Sequence, residues 1–187
     1  MIKKLLLYCS LMISFVFTKA QNLAIDSSQF VQFDCAVIQT KEKLDKHFFA
    51  STPAIHLRVN NENFSFASLQ LGKRKNKIYM HVRILEDNVC LKKDKNLDIY
   101  FKSGEIMTLK NEYPLNCESF FARELKKKEL EKLISNDIAM IKIYTYYKNF
   151  ELYVHEVQNK NIVHNIECLN AYKIKKSEEV TIKRKKK

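Results

Sequence analysis

Apolar and polar residues alternate along most of this chain, and a period of two is the signature of half-buried β-strands. The clearest run sets Ile78, Met80, Val82 and Ile84 against Tyr79, His81 and Arg83. Ile55, Leu57 and Val59 alternate with His56, Arg58 and Asn60, and Leu97, Ile99 and Phe101 with Asp98, Tyr100 and Lys102. The polar cluster Asn60-Asn61-Glu62-Asn63 joins the second run to a strand over Phe64–Leu71, which predicts a hairpin. A basic turn over Gly72–Lys77 then leads into the Ile78 strand. Ser103-Gly104 joins the Leu97 strand to one over Glu105–Leu109, and Gly104 falls where a tight hairpin needs φ > 0. Another hairpin is predicted over Ile138–Tyr147 and Phe150–Val157, around Lys148-Asn149. Phe30–Ile38 reads as a first strand, Val89–Leu91 as a short one, and Phe120–Leu125 as a strand or a helix start.

Three segments have helical spacing instead. Leu44 and Phe48 repeat within Thr40–Phe49, which Pro53 ends by biasing Thr52 toward extended geometry. Leu130, Leu133 and Ile134 share one face of Lys127–Ser135, with Asn136 placed to form a left-handed cap. Ile162, Val163, Ile166 and Leu169 form the apolar face of a last helix. Consecutive hairpins pair antiparallel, because parallel strands need long crossovers. The predicted class is α+β, mostly β: a curved antiparallel sheet built from hairpins, with two or three short helices packed on it.

The N-terminus departs from this pattern. Lys3 and Lys4 precede an apolar run from Leu5 to Phe17, and Thr18-Lys19-Ala20 supplies a small-residue cleavage site before Gln21. Residues 1–20 therefore read as a secretory signal peptide, shorter than the roughly 20 apolar residues of a membrane span. The predicted organisation is a signal peptide at 1–20, one antiparallel α+β domain at 21–172 and a disordered basic tail at 173–187. The expected location is exported: periplasmic, envelope-associated or secreted.

Export changes how charge and cysteine are read. Of the formal net charge of +12, Lys3, Lys4 and Lys19 leave with the signal peptide. The tail holds eight basic residues against Glu178 and Glu179, so only a small excess stays on the folded body. A nucleic-acid-binding domain carries its basic face on the body, so nucleic acid is not an expected partner. The tail suits loose contact with an anionic membrane surface, at about 1 kcal/mol per basic residue. Cys9 is lost with the signal peptide, and Cys35, Cys90, Cys117 and Cys168 remain, an even set in an oxidising compartment. Four cysteines allow three pairings and sequence does not choose among them; Cys117–Cys168 is the favoured candidate disulfide.

With only two glycines, the chain lacks phosphate-cradling loops and the G-x-S-x-G nucleophile elbow, and it has no H-E-x-x-H or C-x-x-C pair. No cofactor is implied. Three clusters remain as candidate sites. His155, His164 and Cys168 form a candidate metal set, with His164 and Cys168 one helical turn apart. His56, Arg58, Tyr79, His81 and Arg83 form a cationic binding patch if their two strands are neighbours, since guanidinium forks match carboxylate and phosphate. Tyr144, Tyr146, Tyr147, Phe150 and Tyr153 gather around the Lys148-Asn149 hairpin, where aromatics serve cross-strand packing, an interface or a carbohydrate site.

The elements LDIYFKSGEIMTL, FFARELKKKELEKLI, DIAMIKIY and a closing helix with IECL span Leu97–Leu169. This stretch resembles small exported bacterial proteins, and the resemblance implies an exported antiparallel domain and no particular activity. The leading expectation is a non-catalytic binding or envelope-associated module whose partner is an envelope protein, a glycan or an anionic surface. The alternatives are an envelope hydrolase or metal-dependent enzyme using the His155/His164/Cys168 region, and a structural subunit of an envelope complex.

Overall fold

Alternating burial makes the strands. In β3 (Ile55–Val59) and β5 (Lys77–Ile84) every second side chain is buried, so one face of each is apolar and must be covered. The computed structural model describes residues 35–40, 47–61 and 64–174, and all of them belong to one unit of the chain. The signal segment 1–20 and the tail beyond residue 174 lie outside the described residues. The remaining strands are β1 (Ile38–Gln39), β2 (Phe49–Ser51), β4 (Phe66–Arg74), β6 (Asn96–Phe101), β7 (Ile106–Lys110), β8 (Phe120–Leu125), β9 (Ile138–Tyr144) and β10 (Asn149–Tyr153). Two helices, α1 (Lys127–Ser135) and α2 (Glu156–Ala171), complete the described fold.

The chain is α+β and mostly β, as its periodicity predicts. All strand pairs are antiparallel, and the sheet runs β8-β5-β4-β3-β10-β9-β6-β7. β4 is long enough to take two partners on one side: Phe66–Leu69 pair with β3, and Gly72–Arg74 with β2, which in turn pairs with β1. The sheet does not close. Its two ends nevertheless meet where the residues just after β7 reach β8: the Asn111 side-chain oxygen accepts the Ala122 N–H at 3.1 Å, and the Glu112 N–H donates to Ala122 O at 3.0 Å.

Helix α2 covers the inner face with Ile162, Ile166 and Leu169. Two buried polar side chains hold it there. The Asn159 amide bonds both backbone groups of Ile138, at 2.8 and 2.7 Å, and so pins the helix to the start of β9. Lys73, on the inner face of β4 and 8% exposed, donates from Nζ to Leu169 O (2.7 Å), Asn170 O (3.2 Å) and Tyr172 O (2.9 Å). These are end-of-helix carbonyls with no intrahelical partner, and a cation there also complements the helix dipole. Burial pulls the Lys73 ammonium below the ordinary lysine pKa. Its three carbonyls keep all three hydrogens partnered.

Several expectations are corrected. Gly72 and Lys73 are not in a turn: β4 continues to Arg74, and Lys75-Asn76 makes the turn, with Lys75 at φ 55. β10 stops at Tyr153, and His155 opens α2, where Gln158 Oε1 accepts its N–H at 2.8 Å. Asn136 is extended (φ −133) rather than left-handed and closes α1 through its backbone N–H to Lys132 O. Val89–Leu91 forms only a single bridge, Leu91 to Asn116. Of the predicted Thr40–Phe49 helix, residues 41–46 lie outside the described residues, and Phe49 is in a strand.

The favoured cysteine pair is also corrected. Cys117 bonds Cys90, and Cys168 bonds Cys35. The Leu91–Asn116 bridge sets Cys90 and Cys117 side by side, whereas the last turns of α2 face the segment entering β1, where Tyr172 Oη also donates to Gln39 Oε1 at 3.1 Å. Two disulfides are the chemistry of an oxidising compartment.

Candidate functional site

On the solvent face of β4, β5 and β8 the small residues Gly72 and Ala122 leave room that aromatic rings surround. Phe49 lies across Gly72, where a Cβ would stand 2.1 Å from the Phe49 Cζ. From there Phe49 stacks on His81, centroids 5.7 Å apart at 19°. His81 touches Phe120 (5.4 Å) and Tyr79 (6.5 Å), and Phe120 meets Tyr113 edge-on at 5.0 Å. The rings enclose an open hollow of about 500 Å³ with Arg74, Glu112 and Arg123 at its border, within the range of small-molecule sites.

Two asparagines fix the Tyr113 and Phe120 side of this wall. The Asn116 side chain clamps both backbone groups of Phe120 (2.8 and 2.9 Å). Asn111, 1% exposed, accepts the N–H of Tyr113 and donates to its carbonyl. Arg74 sits 5.5 Å from the Tyr79 ring centroid, a cation–π contact. Arg123 is paired with Glu129 at 2.8 Å, its side chain 12% exposed, and its buried Nε has no hydrogen-bond partner.

Desolvation among these rings pushes the His81 imidazole down from 6.5 to about 4. His81 is therefore neutral at physiological pH and offers one donor and one acceptor without charge. The unfolded chain takes up this proton near pH 6.5 and the folded chain only near pH 4. The stability of the fold is thus complete above the higher value and falls as pH drops through that window, by about 3 kcal/mol for this group. Urea midpoints of the wild type are expected to fall between pH 7 and pH 4 more steeply than those of His81→Gln; equal slopes would refute the assignment.

No protein-family model, no curated protein and no solved structure matches this chain. The chemistry of the hollow rests on its own residues.

Of the predicted cationic patch, Tyr79 and His81 line the hollow. The rest does not join them, because β4 lies between β3 and β5: Ser68 separates His56 from Arg83, and Gln70 stands beside His81. His56, Arg58 and Arg83 are exposed on the same face. The predicted metal set also divides. His155 caps the start of α2, nine positions before His164, which is about 13 Å along a helix. His164 Nε2 does lie 3.3 Å from Cys168 Sγ, with Cys35 Sγ in the same cluster, but the two sulfurs are bonded to each other and present no thiolate. In the aromatic hairpin, Phe150 is core, Tyr146 and Tyr147 are exposed beyond β9, and Tyr153 lies on the solvent face of β10. Sequence reasoning missed Phe49, Phe120, Tyr113, Arg74 and Arg123. The one available signal was Gly72, a glycine inside an alternating stretch, which often marks close approach of another group.

Proposed function

We propose that this chain is an exported, non-catalytic binding module whose ligand site is the aromatic hollow. The ligand fitted by such a site is a small ring-shaped molecule with apolar faces and a hydrogen-bonding edge. The observation that carries the reading is the chain of aromatic contacts in which His81 joins Phe49, Tyr79 and Phe120, and Phe120 joins Tyr113, around one open hollow. Aromatic walls supply buried area at low conformational cost. A neutral imidazole supplies a polar contact within it. Export is supported by the signal-like residues 1–20 together with the two disulfides. A catalytic reading has less support, since Cys168 is held in a disulfide and His155 stands apart from His164.

The test is chemical-shift mapping of the mature protein with a panel of soluble ring compounds: monosaccharides, disaccharides and free aromatic amino acids. Binding is expected to shift Tyr79, His81 and Phe120. Phe120→Ala is expected to weaken it at least tenfold, as is Gly72→Ala, whose methyl displaces the Phe49 ring, with both disulfides and the far-UV spectrum retained. Shifts clustered elsewhere, or affinity unchanged in both variants, would overturn the assignment.

A further inference from the structure

A second surface crosses the solvent face of the sheet away from the hollow. Read at one register, Ile106 on β7 faces Tyr100 on β6, which faces Met140 on β9, then Tyr153 on β10, Arg58 on β3 and Phe66 on β4. Ile106, Tyr153 and Phe66 are 51%, 48% and 46% exposed, Arg58 is exposed, and Tyr100 and Met140 are half-buried. A sheet face turned to water ordinarily carries polar side chains. Here five large apolar or aromatic side chains, interrupted once by Arg58, lie in one row across six adjacent strands, about 24 Å at the usual strand spacing. A row of this kind marks an interaction surface.

Its spacing and its flank say what it fits. The rings stand on β4, β10 and β6, on every second strand, and so recur about every 10 Å. That interval matches the disaccharide repeat of an extended β-1,4-linked glycan, in which alternate sugars present the same face. Beside the row runs a polar rail at the next outward register, Thr108–Asp98–Lys142–Glu151. Its members are already ordered by the Thr108–Asp98 bond (2.7 Å) and the Lys142–Glu151 pair (3.1 Å). A polysaccharide strand needs this combination: flat rings under the apolar sugar faces, and fixed donors and acceptors along the hydroxyl edge. A lipid surface would gain nothing from the rail, and a protein partner would not require rings at this period.

We infer that the Phe66–Tyr153–Tyr100 row is a platform for an extended β-linked polysaccharide, separate from the hollow. The experiment is co-sedimentation of the full mature chain with insoluble chitin, cellulose and purified peptidoglycan sacculi, with starch granules as the coiled α-linked comparison. Binding to at least one β-linked polymer and not to starch is expected. Tyr153→Ala and Phe66→Ala are each expected to reduce the bound fraction at least fivefold. Tyr147→Ala, at an exposed turn off the row, is expected to leave it unchanged. Retained disulfides by intact mass and an unchanged far-UV spectrum establish that the variants fold. Failure to sediment with any β-linked polymer, or binding that Tyr153→Ala does not alter, overturns the inference and leaves the hollow untouched. A self-association abolished by Tyr153→Ala would overturn it too, by assigning the face to a second copy.

Discussion

Replacing Cys35 and Cys168 together by alanine is expected to destabilise the domain by about 5 kcal/mol, from the loop-closure entropy that a cross-link over so long a loop removes from the unfolded chain. The sequence separation bridged is 133 residues, against 27 for Cys90–Cys117, for which the same relation gives about 3.5 kcal/mol. Against a typical total of about 5–15 kcal/mol, the first loss leaves the fold marginal. Urea unfolding of the two double-alanine variants, without reductant, checks both size and order. A smaller loss for the Cys35/Cys168 variant would refute the loop argument and indicate that its ends are already held together in the unfolded chain.

The second large effect is expected at Lys73. Lys73→Met keeps much of the aliphatic stem and removes the ammonium, leaving the carbonyls of Leu169, Asn170 and Tyr172 without their donor. Stranding buried carbonyls and losing a cation at a helix C-terminus together cost about 2–3 kcal/mol. Lys73→Arg, which keeps charge and donors, is expected to lose less. Denaturation midpoints give the magnitude, and hydrogen exchange locates it: protection should fall first over the last turn of α2. A uniform loss across the sheet would instead mean that Lys73 acts through the packing of β4.

Lys73 also shows why parts of this molecule were legible in sequence and parts were not. Period-two runs such as Ile78–Ile84 betray their strands because burial on one face is a local consequence of the fold. The helix bearing Ile162, Ile166 and Leu169 is visible for the same reason. Lys73 and Gly72 read as a basic turn because their roles depend on groups far away in the chain, the end of α2 for one and the ring of Phe49 for the other. The hollow was half visible: Tyr79 and His81 share one strand, but Phe49, Tyr113 and Phe120 arrive from three other segments. The patch of His56, Arg58 and Arg83 failed on one fact of pairing order, the insertion of β4 between β3 and β5. Disulfides were foreseen but their pairing was not, because the Leu91–Asn116 bridge that aligns Cys90 with Cys117 lies between two loops with no periodicity of their own.

The Cys35–Cys168 bond also has a consequence in time. A chain that emerges N-terminus first presents Cys35 long before Cys168, with Cys90 and Cys117 appearing between them. Oxidation in order of appearance would join Cys35 to Cys90 and Cys117 to Cys168, whereas the native pattern nests one bond inside the other. Maturation therefore has to keep the first of these four thiols waiting until the last has arrived, or reshuffle an early mistake through exchange, a step that takes seconds to hours. Cys35 is secured only when helix α2 has been made.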